Sequence, residues 1–189
     1  MLLHVKKTGL YQERDEVERA TFRSVIKDIP PDNIIWIDET GIEEHLVRTH
    51  GRTKRGDRYY TDVPGKRVGR TTLIAGYGEG RLKAPMRFKG HTNTKVFNTW
   101  CREVLKEELK PGIVVIMDSA SFHKSQETKD IIEGKGATLL YQPKYSPDLN
   151  KSEPQWANLK QRIRSDQSNE TFIQKLDKHI VEMCNHKRY

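Results

Sequence analysis

Two short apolar runs, "IIWI" at 34–37 and "VVIM" at 114–117, constrain this chain more than any other feature. Each is too short for a helix and rich in β-branched residues, as a strand buried on both faces requires. Each is followed at once by an aspartate, Asp38 and Asp118. The spacing predicts strands over 33–38 and 113–118, both ending on an acid where the chain leaves the sheet.

The elements around these runs set the fold class. Apolar positions Val17, Ala20 and Val25 predict a helix over 13–28, stopped by Pro30-Pro31. "TTLIAGYG" and "LKAPMRFKG" flank Glu79-Gly80 as the arms of a hairpin. Val96, Phe97, Trp100, Val104 and Leu109 recur at helical spacing over 94–109, and Pro111-Gly112 ends them. "KSQETKDIIEGKG" reads as a helix, "ATLLYQP" (137–143) as a strand, and two helices follow, about 151–165 and 170–185. This order predicts an α/β sandwich with a mixed sheet. All 189 residues fit one domain, with 1–31 as a lead-in helix region and no helix-turn-helix module ahead of the first strand.

Lysine and arginine exceed aspartate and glutamate by 34 to 26, a surplus usual in proteins that meet polyanions. The surplus is uneven. Residues 51–70 hold Arg52, Lys54, Arg55, Arg58, Lys66, Arg67 and Arg70 against Asp57 and Asp62, interleaved with glycines and Tyr59-Tyr60. Following directly on the first acid-tipped strand, this segment is expected to contact phosphates. Cys101 and Cys184 lack metal or disulfide spacing and are expected as buried thiols. No apolar run reaches membrane length, and "MLLHVKKTGL" lacks the pattern of a signal peptide, so a soluble cytoplasmic protein is expected.

A third acid joins the two aspartates. Glu153 precedes Pro154 at a helix start, and Trp156 follows at i+3, so the acid leans toward a packed face. An acid in that position is costly unless something cationic receives it. Three carboxylates without a Cys/His set suit a hard divalent cation, which prefers oxygen ligands and substrate phosphates. A pair of such ions about 3.5–4 Å apart can drive phosphodiester displacement. His123, five residues past Asp118, is a candidate to hydrogen-bond a ligand carboxylate. Glu39 is expected to point away from Asp38 into solvent.

The blocks "IDET", "MDSASFHKS" and "QPKYSPDLNKSEPQWANLK" resemble, in order, the three signatures of the DDE transposases, specifically the Tc/mariner-like superfamily and its bacterial insertion-sequence branch. The 34 residues between Asp118 and Glu153 match that superfamily's spacing. The resemblance implies a ribonuclease H-like fold with a five-stranded mixed sheet. It also implies that Asp38, Asp118 and Glu153 are catalytic residues holding two Mg²⁺ (or Mn²⁺) ions, Asp38 bridging both. The implied reaction is strand cleavage at transposon ends, then strand transfer into target DNA. The implied partners are double-stranded DNA (terminal inverted repeats and target), a second copy in synapsis, and an upstream helix-turn-helix polypeptide. A nucleoid-associated location follows.

The chain departs from the family pattern at Lys151 and Ser152, where a proline and an apolar residue are usual, at Ser119, where asparagine is common, and at Arg52, where tryptophan is usual. An inactive DNA-binding remnant and a ribonuclease H-like nuclease acting on hybrids are the competing readings.

Overall fold

The computed structural model describes residues 11–44, 58, 60 and 69–185. Five strands form one mixed sheet: β1 (Ile34–Glu43), β2 (Arg70–Gly78), β3 (Arg81–Lys89), β4 (Val114–Met117) and β5 (Thr138–Tyr141). Their order is β3-β2-β1-β4-β5, with β1, β2 and β3 antiparallel and β1, β4 and β5 parallel. The helices are α1 (Glu16–Lys27), α2 (Thr94–Glu103), α3 (Gln126–Glu133), α4 (Glu153–Ser165) and α5 (Phe172–Asn185).

The expected α/β class, mixed sheet and hairpin are all present. Glu79 and Gly80 both adopt positive φ (51° and 75°), as the two central residues of a tight hairpin must when strand twist is right-handed. Strand β1 corrects an expectation. It does not stop at Asp38 but continues to Glu43, paired along that stretch with β2. It is the parallel neighbour, β4, that ends at Met117.

Alternation along β1 sorts its side chains between two cores. Ile35 and Ile37 pack with Val115, Met117 and the Phe97, Trp100 and Cys101 face of α2. Ile34 and Trp36 face Phe22 of α1, and Ile42 joins Leu73, Trp156, Leu159, Ile163 and Leu176 beneath α4 and α5. Cys101 is buried and Cys184 partly so, both as free thiols.

Helix α1 turns differently from the expected face. Val17 and Val25 are exposed, and the helix buries Phe22 and Arg19 instead. The Arg19 guanidinium makes two parallel bonds to Asp148, Nη1 to Oδ1 at 2.9 Å and Nη2 to Oδ2 at 2.7 Å, so the helix is pinned to the "SPDLN" segment. Burying an arginine is tolerable only with such a partner. Asp148→Ala should therefore lower stability by about 1–2 kcal/mol, less than a fully buried pair because the acid is half exposed. Urea unfolding of the two proteins measures it.

Candidate active site

Strands β1 and β4 run parallel with Ile34 opposite Val114, Ile35 opposite Val115 and Trp36 opposite Ile116. The same offset separates Asp38 from Asp118, so the register carries both acids to the same level of the sheet. Neighbouring strands lie about 4.8 Å apart. Strand β4 ends at Met117, so Asp118 is the first residue beyond it.

Asp38 is held by four donors. Its Oδ1 accepts from the Glu39 amide at 2.9 Å. Its Oδ2 accepts from Asn150 Nδ2 at 2.9 Å, Ser152 Oγ at 3.1 Å and Trp156 Nε1 at 3.0 Å. Burial pushes its pKa up to about 6 against the lowering effect of Trp156 and the Glu39 amide; the charges of Glu39 and Glu153 push the same way as burial. The site thus contains a carboxylate whose ionised form burial disfavours.

Asp118 stands at the tip of β4. Its Oδ1 accepts from the Ala120 amide at 2.9 Å and from His123 Nδ1 at 2.7 Å. Burial raises its pKa, but the His123 hydrogen bond, the Ala120 amide and nearby charges outweigh this and hold it below the usual carboxylate range. His123 is fully buried, its ring between Phe97 and Phe122 with centroids 4.4 and 4.3 Å away. Its Nε2 lies 2.9 Å from Glu39 Oε1. With a carboxylate on each nitrogen, the imidazole must donate on both sides, which only the cation does. Burial pulls its pKa down, yet the bonds to Asp118 and Glu39 prevail and it is pushed up to about 9.

Glu39 is therefore not solvent-directed as expected. Its side chain is 14% exposed and bound to His123 on the sheet face opposite Asp38. Alternation does turn it away from Asp38, but toward a buried histidine that periodicity does not reveal.

Glu153 is the first residue of α4, exposed, with Ser152 as N-cap and Pro154 next. It is near enough to raise the pKa of Asp38 through its charge. Ser152, the departure from the family pattern, is completely buried and bonds both Asp38 and Asn150 Oδ1 (2.6 Å). Ser119, another departure, donates to the Gln142 carbonyl at 3.1 Å. Among the described residues no three acidic, histidine or cysteine side chains stand close enough to enclose a metal ion. Carboxylate oxygens are the donors magnesium prefers, and substrate phosphates would have to complete such a shell.

Two cations, Lys160 and Arg70, lie near enough to act on each other, and Lys160 also acts on the acids. Lys160, half-buried on α4, interacts with Glu153 and Asp38 while burial holds its pKa below the ordinary lysine range. The i+7 spacing from Glu153, two helical turns, was its sequence signal. Arg70 starts β2, and its guanidinium lies where a Cβ on Gly41 would fall, so Gly41 makes room for it. Arg58 is exposed. Arg52, Lys54, Arg55, Lys66 and Arg67 lie outside the described residues.

Comparisons with known proteins agree with this architecture. The catalytic domain of Mos1 mariner transposase superposes with a TM-score of 0.62 at 16% identity, covering 97% of this chain and 87% of that one. The Mos1 paired-end complex with the left transposon end gives 0.62 at 15%, covering 98% and 68%. The mariner Mos1 paired-end complex with Mg gives 0.59 at 15%, covering 97% and 65%. At these identities the likeness establishes the ribonuclease H-like fold. No curated protein matches the sequence. The model of the DDE superfamily endonucleases matches residues 33–175, from the residue before β1 into α5 and through all three acids, and the chain belongs to that family.

Proposed function

We propose that this chain is the catalytic domain of a Tc/mariner-like transposase, which cuts DNA at transposon ends and joins the freed 3′ end to target DNA. The observation that carries this is the parallel pairing of β1 with β4, whose offset continues to Asp38 and to Asp118 just past the β4 end, with α4 bound to Asp38 through Trp156. Glu153 opens that helix, near enough to Asp38 for its charge to raise that acid's pKa.

Asp38, Asp118 and Glu153 would hold the divalent cations. When bound, Mg²⁺ or Mn²⁺ supplies Lewis-acid activation of the attacking oxygen and stabilises the leaving one. The chain's own residues do the rest. Asn150, Ser152 and Trp156 fix one oxygen of Asp38 and leave the other lightly engaged. His123 and the Ala120 amide orient Asp118. Lys160 and Arg70, with the basic segment 51–70, draw the phosphate backbone to the acids.

DNA is the partner, bound through charge with little sequence preference of its own. Two copies act together in synapsis, and a helix-turn-helix polypeptide outside this domain reads the terminal repeats. Among the described residues no helix is long and apolar enough to cross a membrane.

Nicking assays on inverted-repeat duplex, plain duplex and RNA–DNA hybrid, with Mg²⁺, Mn²⁺ or chelator, test the proposal. Metal-dependent cleavage of duplex DNA is expected, together with a metal-induced rise in unfolding temperature. Preferential cleavage of the hybrid would establish a ribonuclease instead, and binding without cleavage an inactive remnant.

A further inference from the structure

A cavity lies between the C-terminal half of α1, the start of β1, the β2–β3 turn and the first turn of α4. Its volume is about 680 Å³, within the range of about 300–1,000 Å³ typical of small-ligand sites. None of the groups that bond Asp38 or Asp118 lines it.

The seating of α1 explains the space. The helix is fastened by Arg19 to Asp148, and its Phe22 packs edge-on against Trp36 with ring centroids 6.4 Å apart. One turn on, Ile26 and then Ile29 are only partly buried, and both line the cavity. Trp36 and Tyr77 are register partners across β1 and β2, so their side chains share one face of the sheet and form an aromatic floor. Tyr77 is half-buried, so this floor is reachable.

The rim has the opposite character. Arg23 and Lys27 stand one turn apart on α1, and Lys151 adds a third cation just ahead of α4. All three are exposed, and among the described residues none has a hydrogen-bond or ion-pair partner; Asp148 acts on Arg23 only through its more distant charge. Of the two acids at the edge, Glu79 is bound by Lys83 at 2.8 Å and Asp32 is exposed.

Apolar walls, an aromatic floor and spare cations suit a molecule with a flat apolar body and an anionic end. A nucleic-acid backbone would meet the cations but leave the apolar walls unfilled. Residues 1–10, 45–57, 61–68 and 186–189 each carry more basic than acidic side chains, so charge disfavours them as occupants. We propose that this cavity binds a small aromatic acid, its ring against Tyr77 and Ile26 and its negative charge received by Arg23, Lys27 and Lys151. This site stands apart from the transposase reading and shares no group with the bonds that hold the acids.

Fluorescence titration of the full chain with two probes tests it: anilinonaphthalene sulfonate, an aromatic anion, and phenylnaphthylamine, its uncharged counterpart. Wild-type protein should bind one sulfonate per chain, saturably and about tenfold more tightly than the uncharged probe. Lys27→Glu combined with Lys151→Glu should erase that preference and leave the uncharged probe bound. Ile26→Trp, which fills the cavity, should weaken both probes about tenfold. Unfolding temperatures show whether each variant is folded, and Ile29→Trp replaces Ile26→Trp should that one not fold. Equal affinity of wild-type protein for the two probes would overturn the assignment to an anion. Sulfonate binding that is unchanged in the charge and filling variants, or no saturable binding of either probe, would overturn the site itself.

Discussion

Asp38→Asn should abolish strand cleavage while making the metal-free protein more stable at neutral pH. The loss of activity should reach roughly 10³-fold or more, since removing a ligand forfeits several kcal/mol of metal-assisted stabilisation and each tenfold is about 1.4 kcal/mol. The gain in stability follows from the direction of the pKa shift. Asp38 ionises near 6 in the folded protein because burial opposes its charge, and near 3.9 when unfolded. The folded state therefore binds the proton more tightly, so stability is lost as pH rises from about 4 through 6. That loss amounts to about 3 kcal/mol above pH 7. Asparagine avoids it, and its oxygen can still accept from Asn150, Ser152 and Trp156. Its amide nitrogen would then face the Glu39 N–H, forfeiting about 1 kcal/mol. A net gain of about 1–2 kcal/mol remains, and urea unfolding in chelator at pH 4.5 and 7.5 measures it. Should the variant be less stable than wild type at pH 7.5 and show no change of that difference with pH, Asp38 is not the strained acid described here.

The second large effect belongs to His123. Its replacement by alanine removes a ring packed between two phenylalanines and leaves Glu39 as a nearly buried anion without its cation. A cost of about 3–5 kcal/mol is expected. Cleavage should fall as well, because Asp118 loses the bond that orients it. The pH dependence runs opposite to that of Asp38. A histidine raised to about 9 when folded contributes stability that is complete below its unfolded value near 6.5 and is lost as pH rises through 9. Glu39→Gln should narrow that window by removing one of the two carboxylates. NMR titration of the His123 ring in metal-free protein reports it directly, and an ordinary value near 6.5 would remove the bridge from the account.

These two residues show why some of the site was readable and some was not. Asp38, Asp118 and Glu153 stand out as candidates because each sits beside a local signal: an apolar run that forms a strand, or a proline that opens a helix. The three side-chain donors that hold Asp38 come from 112 to 118 residues away, and the Glu39–His123 bond spans 84. Local periodicity carries no information about such partners. Val17 and Val25 misled for a related reason: the face that α1 buries is chosen by Arg19 finding Asp148 across the fold, not by apolarity along the helix.

Short-range physics determined where the strands lie and the Glu79-Gly80 turn, because backbone preference and side-chain period act within a few residues; the ends of β1 and α2 fell elsewhere than the local pattern set them. The tertiary structure decided which strand stops beside Asp38, which groups receive its charge, and that Glu39 and Asp118 share the buried His123. Those outcomes depend on which distant side chains the sheet register brings within hydrogen-bonding reach, and register is a property of strands only once they are paired.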